Sequence, residues 1–230
     1  MAAIASFHLV RDHPGRQLAV MARLGTDRLR LRGVGGLRFW RLLGTGAGAD
    51  TGPGADLRRS ALFAVWDDES DLDRFVAEHP IARRWTTAEE AWGVRLRGVG
   101  GHGAWRGEAV LDLIEPGRAD GPVAIITRAD VRVGAWRTFR SLGPTVDEEL
   151  QTAEGLLAVA GIGEAPLLRL GTFSLWRSLA DARYYATQLP IHRDVVRRTR
   201  TERWYGEELF ARFEPYASTG TWDGVDPLAR

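Results

Sequence analysis

LFAVWDDESDLDRFVAEHPIARRW (Leu62–Trp85) and TFSLWRSLADARYYATQLPIHRDV (Thr172–Val195) lie on one another without a gap. Trp66 falls on Trp176, Pro80 on Pro190 and Ile81 on Ile191. A duplication bears on the fold before any motif does, because each copy must be one structural unit. Outward from the pair, GAWRG (Gly103–Gly107) echoes GTWDG (Gly220–Gly224), and GLRFWRLLGTG (Gly36–Gly46) corresponds loosely to GLLAVAGIGEAP (Gly155–Pro166). EPGRADGP (Glu115–Pro122) reads as the connector. The expected units are residues 1–117 and 118–230, the second carrying the candidate ligand residue described below.

Each half follows one order of elements. In the second, VAIITRADVR (Val123–Arg132) reads as a strand, and TVDEELQTAEGLL reads as a helix with Thr145 as N-cap and Glu148 three residues on. Two strands follow, around LLAVAGIG (Leu156–Gly163) and LLRLGTFSLW (Leu167–Trp176), joined by a Gly/Pro turn. A helical region from Ser178 to about Glu208, broken at Pro190, leads to a last strand, LFARFEP (Leu209–Pro215). The order is βαββαβ, the ferredoxin-like unit. The fold class expected is α+β, with two tandem units joining their sheets into a barrel that buries one face of each.

Composition narrows the chemistry. The 230 residues contain no Cys, which excludes disulfides, thiolate haem ligation, zinc–thiolate sites and Cys nucleophiles. All 31 basic residues are Arg, and against 30 acidic ones they leave a charge of +1, too balanced for a general nucleic-acid binder. No apolar run approaches the roughly 18 residues of a membrane helix, so the expected location is cytoplasmic or membrane-peripheral.

The copies differ at one costly position: His192 stands where the first copy has Ala82. Pro190 suits the first turn of a helix on which His192, Val195, Val196 and Thr199 share a face. Spacing alone leaves two readings, a hydrogen-bonded core histidine or a ligand. As a ligand it stands without Cys or a nearby second His, which disfavours zinc, whereas one imidazole suffices for haem, with Val195 and Val196 small enough to admit a flat macrocycle. On the strand opposite, Thr172, Ser174 and Trp176 share a face where the first copy has Leu62, Ala64 and Trp66. Hydroxyls thus accompany the histidine. Arg128, on the strand ITRADVR, is a candidate for haem propionates or a bound oxygen ligand. Of the other histidines, His8 is a candidate second imidazole of the pocket, and His13, His79 and His102 read as turn, helix-end and loop residues.

Other signals are weaker. RLRGVGG, at Arg30–Gly36 and Arg95–Gly101, lacks phosphate-loop spacing and reads as a flexible turn; GTGAG (Gly44–Gly48) opens no helix. The acidic group Asp67, Asp68, Glu69, Asp71 and Asp73 reads as helix capping.

The runs FWRLLGTG (Phe39–Gly46), ALFAVWDDE (Ala61–Glu69), LGTFSLWRS (Leu170–Ser178), HRDVVRRTRTERWYGEELFARF (His192–Phe213) and STGTWDG (Ser218–Gly224) resemble the spheroidene monooxygenase family, carotenoid 2-ketolases of purple bacteria with relatives in other bacteria. The resemblance spans nearly the whole chain. It implies a haem b-dependent oxygenase of the dimeric α+β barrel superfamily, using O2 and an external electron donor to oxidise an allylic methylene of an apolar, carotenoid-like small molecule. In that reading His192 is the axial ligand, Val195, Val196 and Trp176 line the cofactor, and Ser174, Thr172 and Arg128 are the catalytic candidates, with Trp204 and Tyr205 as pocket walls. Alternatives are a haem-dependent lyase of aldoxime-dehydratase type acting on a small nitrogenous substrate, and a cofactor-free small-ligand barrel. No nucleic-acid partner or transmembrane segment is expected, and homo-oligomers are open.

Overall fold

A computed structural model describes residues 3–46, 56–114, 116–164 and 169–229. The first half contains β1 (Ile4–Arg11), α1 (Gln17–Leu31), β2 (Leu37–Thr45), β3 (Arg59–Trp66), α2 (Glu69–Glu78), α3 (Pro80–Arg83) and β4 (Glu90–Gly103). The second contains β5 (Val123–Val131), α4 (Trp136–Gln151), β6 (Leu156–Glu164), β7 (Arg169–Trp176), α5 (Leu179–Gln188), α6 (Pro190–Thr201) and β8 (Tyr205–Gly220). Both halves are βαββαβ.

The eight strands close into one antiparallel barrel in the order β1-β3-β2-β6-β7-β5-β8-β4. The halves meet along two unequal seams. β4 and β8 pair from Trp92–Gly220 to Gly103–Leu209, whereas among the described residues β2 and β6 pair at Gly44–Gly163 and Thr45–Ile162. Alternation along each strand sends one set of side chains into the barrel and the other outward under helices. Phe7 and Phe173 stack inside, 3.8 Å apart, among Phe63, Trp92 and Phe213. Outside, Ile4, Leu42, Leu62 and Trp66 pack beneath the first three helices, while Val123, Ile125 and Trp176 pack beneath the second set.

The GAWRG and GTWDG echoes occupy equivalent places. Trp105 and Trp222 insert into the barrel interior, and the next residue in each, Arg106 (φ 56°) and Asp223 (φ 53°), adopts the left-handed conformation that completes the turn. A strand glutamate receives each turn: the Glu207 carboxylate accepts from the Arg106 and Gly107 amides at 2.7 Å, and that of Glu90 from the Gly224 amide at 2.7 Å.

Three expectations are corrected. The helix of TVDEELQ begins at Trp136, nine residues before Thr145, and runs through Pro144; Thr145 is not an N-cap. Its start is held by packing, Trp136 on Phe139 and Phe139 on Tyr205, rather than by a capping side chain. The helical region after Pro190 ends at Thr201, and Tyr205–Glu208 open β8 instead, because Glu207 turns into the barrel and pairs with Arg128. The second RLRGVGG lies inside β4, where Gly101 backs onto the Phe210 carbonyl too closely for any Cβ; the first copy is the expected turn, with Gly33 at φ 81° and Gly36 at φ 75°. The acidic run does cap: Asp68 accepts from the Ser70 amide at 2.8 Å and the Asp71 amide at 3.1 Å, and Arg95 bridges Glu69 and Asp73. GTGAG extends beyond the described residues after Gly46.

Trp105 is fully buried, and its indole N–H donates to Glu164 at 2.6 Å. Trp105→Ala is expected to lower the unfolding free energy by about 3–5 kcal/mol, read as a urea midpoint shift at constant m-value.

Candidate functional site

The candidate site lies on the outer face of the second half-sheet, where β7, α4, α5 and α6 converge. Ser178 starts α5 by accepting from the Asp181 amide at 3.2 Å, and Pro190 ends one helix and opens the next. Leu189, at the N-cap of α6, offers no capping side chain. Glu149 of α4 supplies it instead, accepting from the Ile191 amide at 3.1 Å and the His192 amide at 2.7 Å. One carboxylate thus docks α4 onto α6 and places the His192 side chain.

From His192 a chain of rings runs back to the sheet. The imidazole lies 4.4 Å from the Tyr185 ring, Tyr185 lies 5.4 Å from Trp176, and the Trp176 indole donates to the Ser174 hydroxyl at 2.9 Å. Two polar atoms in this chain, His192 Nδ1 and the Tyr185 hydroxyl, are buried without a hydrogen-bond partner. Burial lowers the His192 pKa, with the Ala186 carbonyl and Glu149 opposing it, so the ring is neutral at pH 7. Burial, reinforced by Glu149 and Asp147, pushes the Tyr185 phenol up and keeps it protonated.

The helix-facing side of this half-sheet carries smaller residues than its counterpart. In the first half Leu42 pairs with Leu62 across β2 and β3, both filling the space between sheet and helices. The matching pair in the second half is Gly161 and Thr172, flanked across β7 by Thr127. Small residues therefore line the helix-facing side of β6 and β7, where the first copy stacks leucines.

The structure brings together His192, Trp176 and Ser174, and puts Thr172 on the same sheet face. Val195 and Val196 are partly buried along α6. Arg128 is not among them. Alternation on β5 sends Ala124, Ile126 and Arg128 into the barrel while Val123 and Ile125 face the helices, and Arg128 is consumed there by Glu207 and Asp130. Trp204 sits beyond the C-terminus of α6, donating to Glu202 at 2.8 Å, and Tyr205 packs near Phe139. Sequence reading missed Tyr185 and Glu149. The first was findable, since the gap-free alignment puts it on Phe75, another apolar residue replaced by a polar one in the second copy. Glu149 left no such signal.

His8 belongs to the other half. It faces α1 and α3, stacks on Trp85 at 4.5 Å, shares a 3.2 Å hydrogen bond with Ser6, and borders a cavity of about 40 Å³ with Leu42, Asp27 and Arg84. That volume holds one or a few waters. His79 ends α2 and caps α3, its Nδ1 accepting from the Ile81 amide at 3.3 Å. Among the described residues no group of three or more His, Asp or Glu could hold a metal ion.

No family model matches the chain. It is 32% identical to the spheroidene monooxygenase of Rhodobacter capsulatus, over 98% of this chain and 95% of that one. The chain belongs to the spheroidene monooxygenase family. The Rubrivivax gelatinosus member is 34% identical, over 84% of this chain and 74% of its own length. In the Cereibacter sphaeroides member, 29% identical, the match covers 93% of this chain but only 66% of the relative. Among solved structures, an aldoxime dehydratase superposes with a TM-score of 0.59 at 13% identity, over 93% of this chain and 81% of that one, a likeness of fold.

Burial, with Arg95 adding to it, lowers the His8 pKa from 6.5 to about 3. The unfolded chain therefore takes up this proton first, and stability falls with pH below 6.5 at about 1.4 kcal/mol per unit for one such group. His192, its pKa also lowered by burial, adds to the slope below 6.5. In His8→Phe, urea midpoints measured between about pH 6.5 and pH 5 are expected to vary with pH by about one proton less than in the wild type.

Proposed function

We propose that this family member is a monooxygenase that holds haem b on His192 and oxidises an apolar, polyene-like substrate with O2 and electrons from a separate donor. The observation that carries the reading is the difference between the copies. Where the first half fills the space between sheet and helices with Leu42, Leu62 and Ala82, the second offers Gly161, Thr172 and His192. A flat macrocycle needs room between sheet and helix, and an imidazole binds iron through an unprotonated ring nitrogen.

The residues present fit that group. His192 is neutral, largely buried and has an unpartnered ring nitrogen, and the Tyr185 hydroxyl beside it is unpartnered too. His192 would hold the iron, with Val195, Val196 and Trp176 as apolar wall. When bound, the haem would supply the O2 activation. The protein's own part is positioning and exclusion of water. Glu149 fixes the start of α6 and so the height of the imidazole, Tyr185 fixes its plane, and burial keeps its proton off the coordinating nitrogen. Thr172 and Thr127 provide hydroxyls on the floor, and the Ser174 hydroxyl, already accepting from Trp176, can donate its own proton.

The test is a visible spectrum. Protein produced with haem supply, or titrated with haemin, is expected to show a Soret band at one haem per chain. His192→Ala is expected to lose it or shift it to a ligand-exchangeable form, and Arg128→Gln to leave it unchanged. A wild type without a Soret band after haemin titration overturns the reading.

A further inference from the structure

The helix α1 exposes the wrong residues for a helix in water. Its inner side, with Val20, Asp27 and Leu31, is buried on the sheet. Its outer side presents Leu18, Met21, Ala22, Gly25 and Leu29 at helical spacing, with Leu18 87%, Met21 52% and Leu29 66% exposed. Single exposed apolar residues need no explanation, but a stripe along three turns does. The fold does not impose it. The helix α4 occupies the equivalent place in the second half, and its exposed positions are Arg137, Ser141, Pro144, Thr145, Glu148 and Gln151.

Charge says what the stripe faces. The sole acid within α1 is Asp27, which is 3% exposed and bound by Arg30 and Arg84. Arginine surrounds the stripe instead: Arg16 precedes the helix, Arg28 and Arg30 lie in its last turns, and Arg32 follows. Among the described residues Arg16, Arg28 and Arg32 make no ion pair with a carboxylate; Arg28 spends its Nε–H on the Leu24 carbonyl at 3.1 Å. The end of the helix borders an open groove of about 390 Å³ lined by Arg30, Arg32 and Arg74, with Asp71 and Glu78 also lining it. An apolar stripe edged by guanidinium groups, with no exposed carboxylate on the helix, is the pattern of a helix lying in a lipid interface. Arginine stems add apolar reach while their heads meet phosphate.

We propose that α1 docks the protein on an anionic membrane, with Leu18, Met21 and Leu29 inserted at the level of the acyl boundary and Arg16, Arg28 and Arg32 against lipid phosphates. Membrane contact is then made by the first half, on a helix remote in sequence from His192. The inference rests on α1 alone and is measured without haem or substrate, so it stands or falls separately from the reading of the second half.

The test is co-sedimentation of the purified chain with phosphatidylcholine vesicles, with and without phosphatidylglycerol. Binding is expected to the anionic vesicles and to weaken as salt rises. Leu18→Ser with Met21→Ser and Leu29→Ser is expected to keep the wild-type thermal midpoint, since all three are exposed, and to lose at least about tenfold in vesicle affinity. Arg28→Gln with Arg32→Gln is expected to lose about fivefold per charge. Ser141→Ala with Thr145→Ala on α4 leaves binding unchanged. Wild-type protein that stays in the supernatant, or a triple variant that binds as the wild type does, overturns the proposal. So does a wild type that ignores vesicles but sizes as a dimer the triple variant cannot form, for then the stripe faces a second copy.

Discussion

Every sheet in this chain has two faces to keep from water, and burying both at once is the constraint on which the architecture rests. Closing the barrel solves the inner face for both halves together: Phe7 from one stacks on Phe173 from the other, and neither half-sheet has a core of its own on that side. The outer faces are solved separately, each by its own helices. That division of labour matters for function. The interior is shared and filled with aromatic rings, so change there disturbs both halves, whereas an outer face can be altered in one half while its counterpart keeps the structure standing.

The two outer faces have diverged accordingly. The first is packed with Leu42, Leu62, Trp66, Phe75 and Ala82. The second replaces those residues by Gly161, Thr172, Trp176, Tyr185 and His192, conserving only the tryptophan, and even its hydrogen bond has moved: Trp66 donates to Ser6 on β1, Trp176 to Ser174 on its own strand. The Tyr185 hydroxyl and His192 Nδ1, both buried without a partner, lie together at the margin of one helical layer. The first face has specialised outward instead, along the solvent side of α1.

Much of this was legible in the sequence. The duplication carried the βαββαβ order, and the mismatch of Ala82 with His192 pointed to the candidate site. What escaped follows from tertiary forces overriding local preference. Tyr205–Glu208 have helical composition, yet form strand because Glu207 has partners inside the barrel, the Arg128 guanidinium and two turn amides. The helix around Pro144 starts early because aromatic packing of Trp136 and Phe139, not a cap, fixes its end. Arg128 was misplaced for a reason the strand itself held: two-residue alternation puts it opposite Ile125. Glu149 could not have been found, since a contact forty-three residues distant has no local trace.

The unequal seams carry a mechanical consequence. Among the described residues, unzipping β2 from β6 breaks the ladder around Gly44, Thr45 and Gly46, whereas parting β4 from β8 breaks a ladder from Trp92 to Gly103. Sub-global openings follow the line of fewest hydrogen bonds. Among the described residues the barrel is joined like a clasped book, its spine at β4 and β8 and its clasp at Gly44 and Gly163. The strands at the clasp are β2 and β6, and β6 with its neighbour β7 carries Gly161 and Thr172, so the candidate floor lies beside the weaker seam.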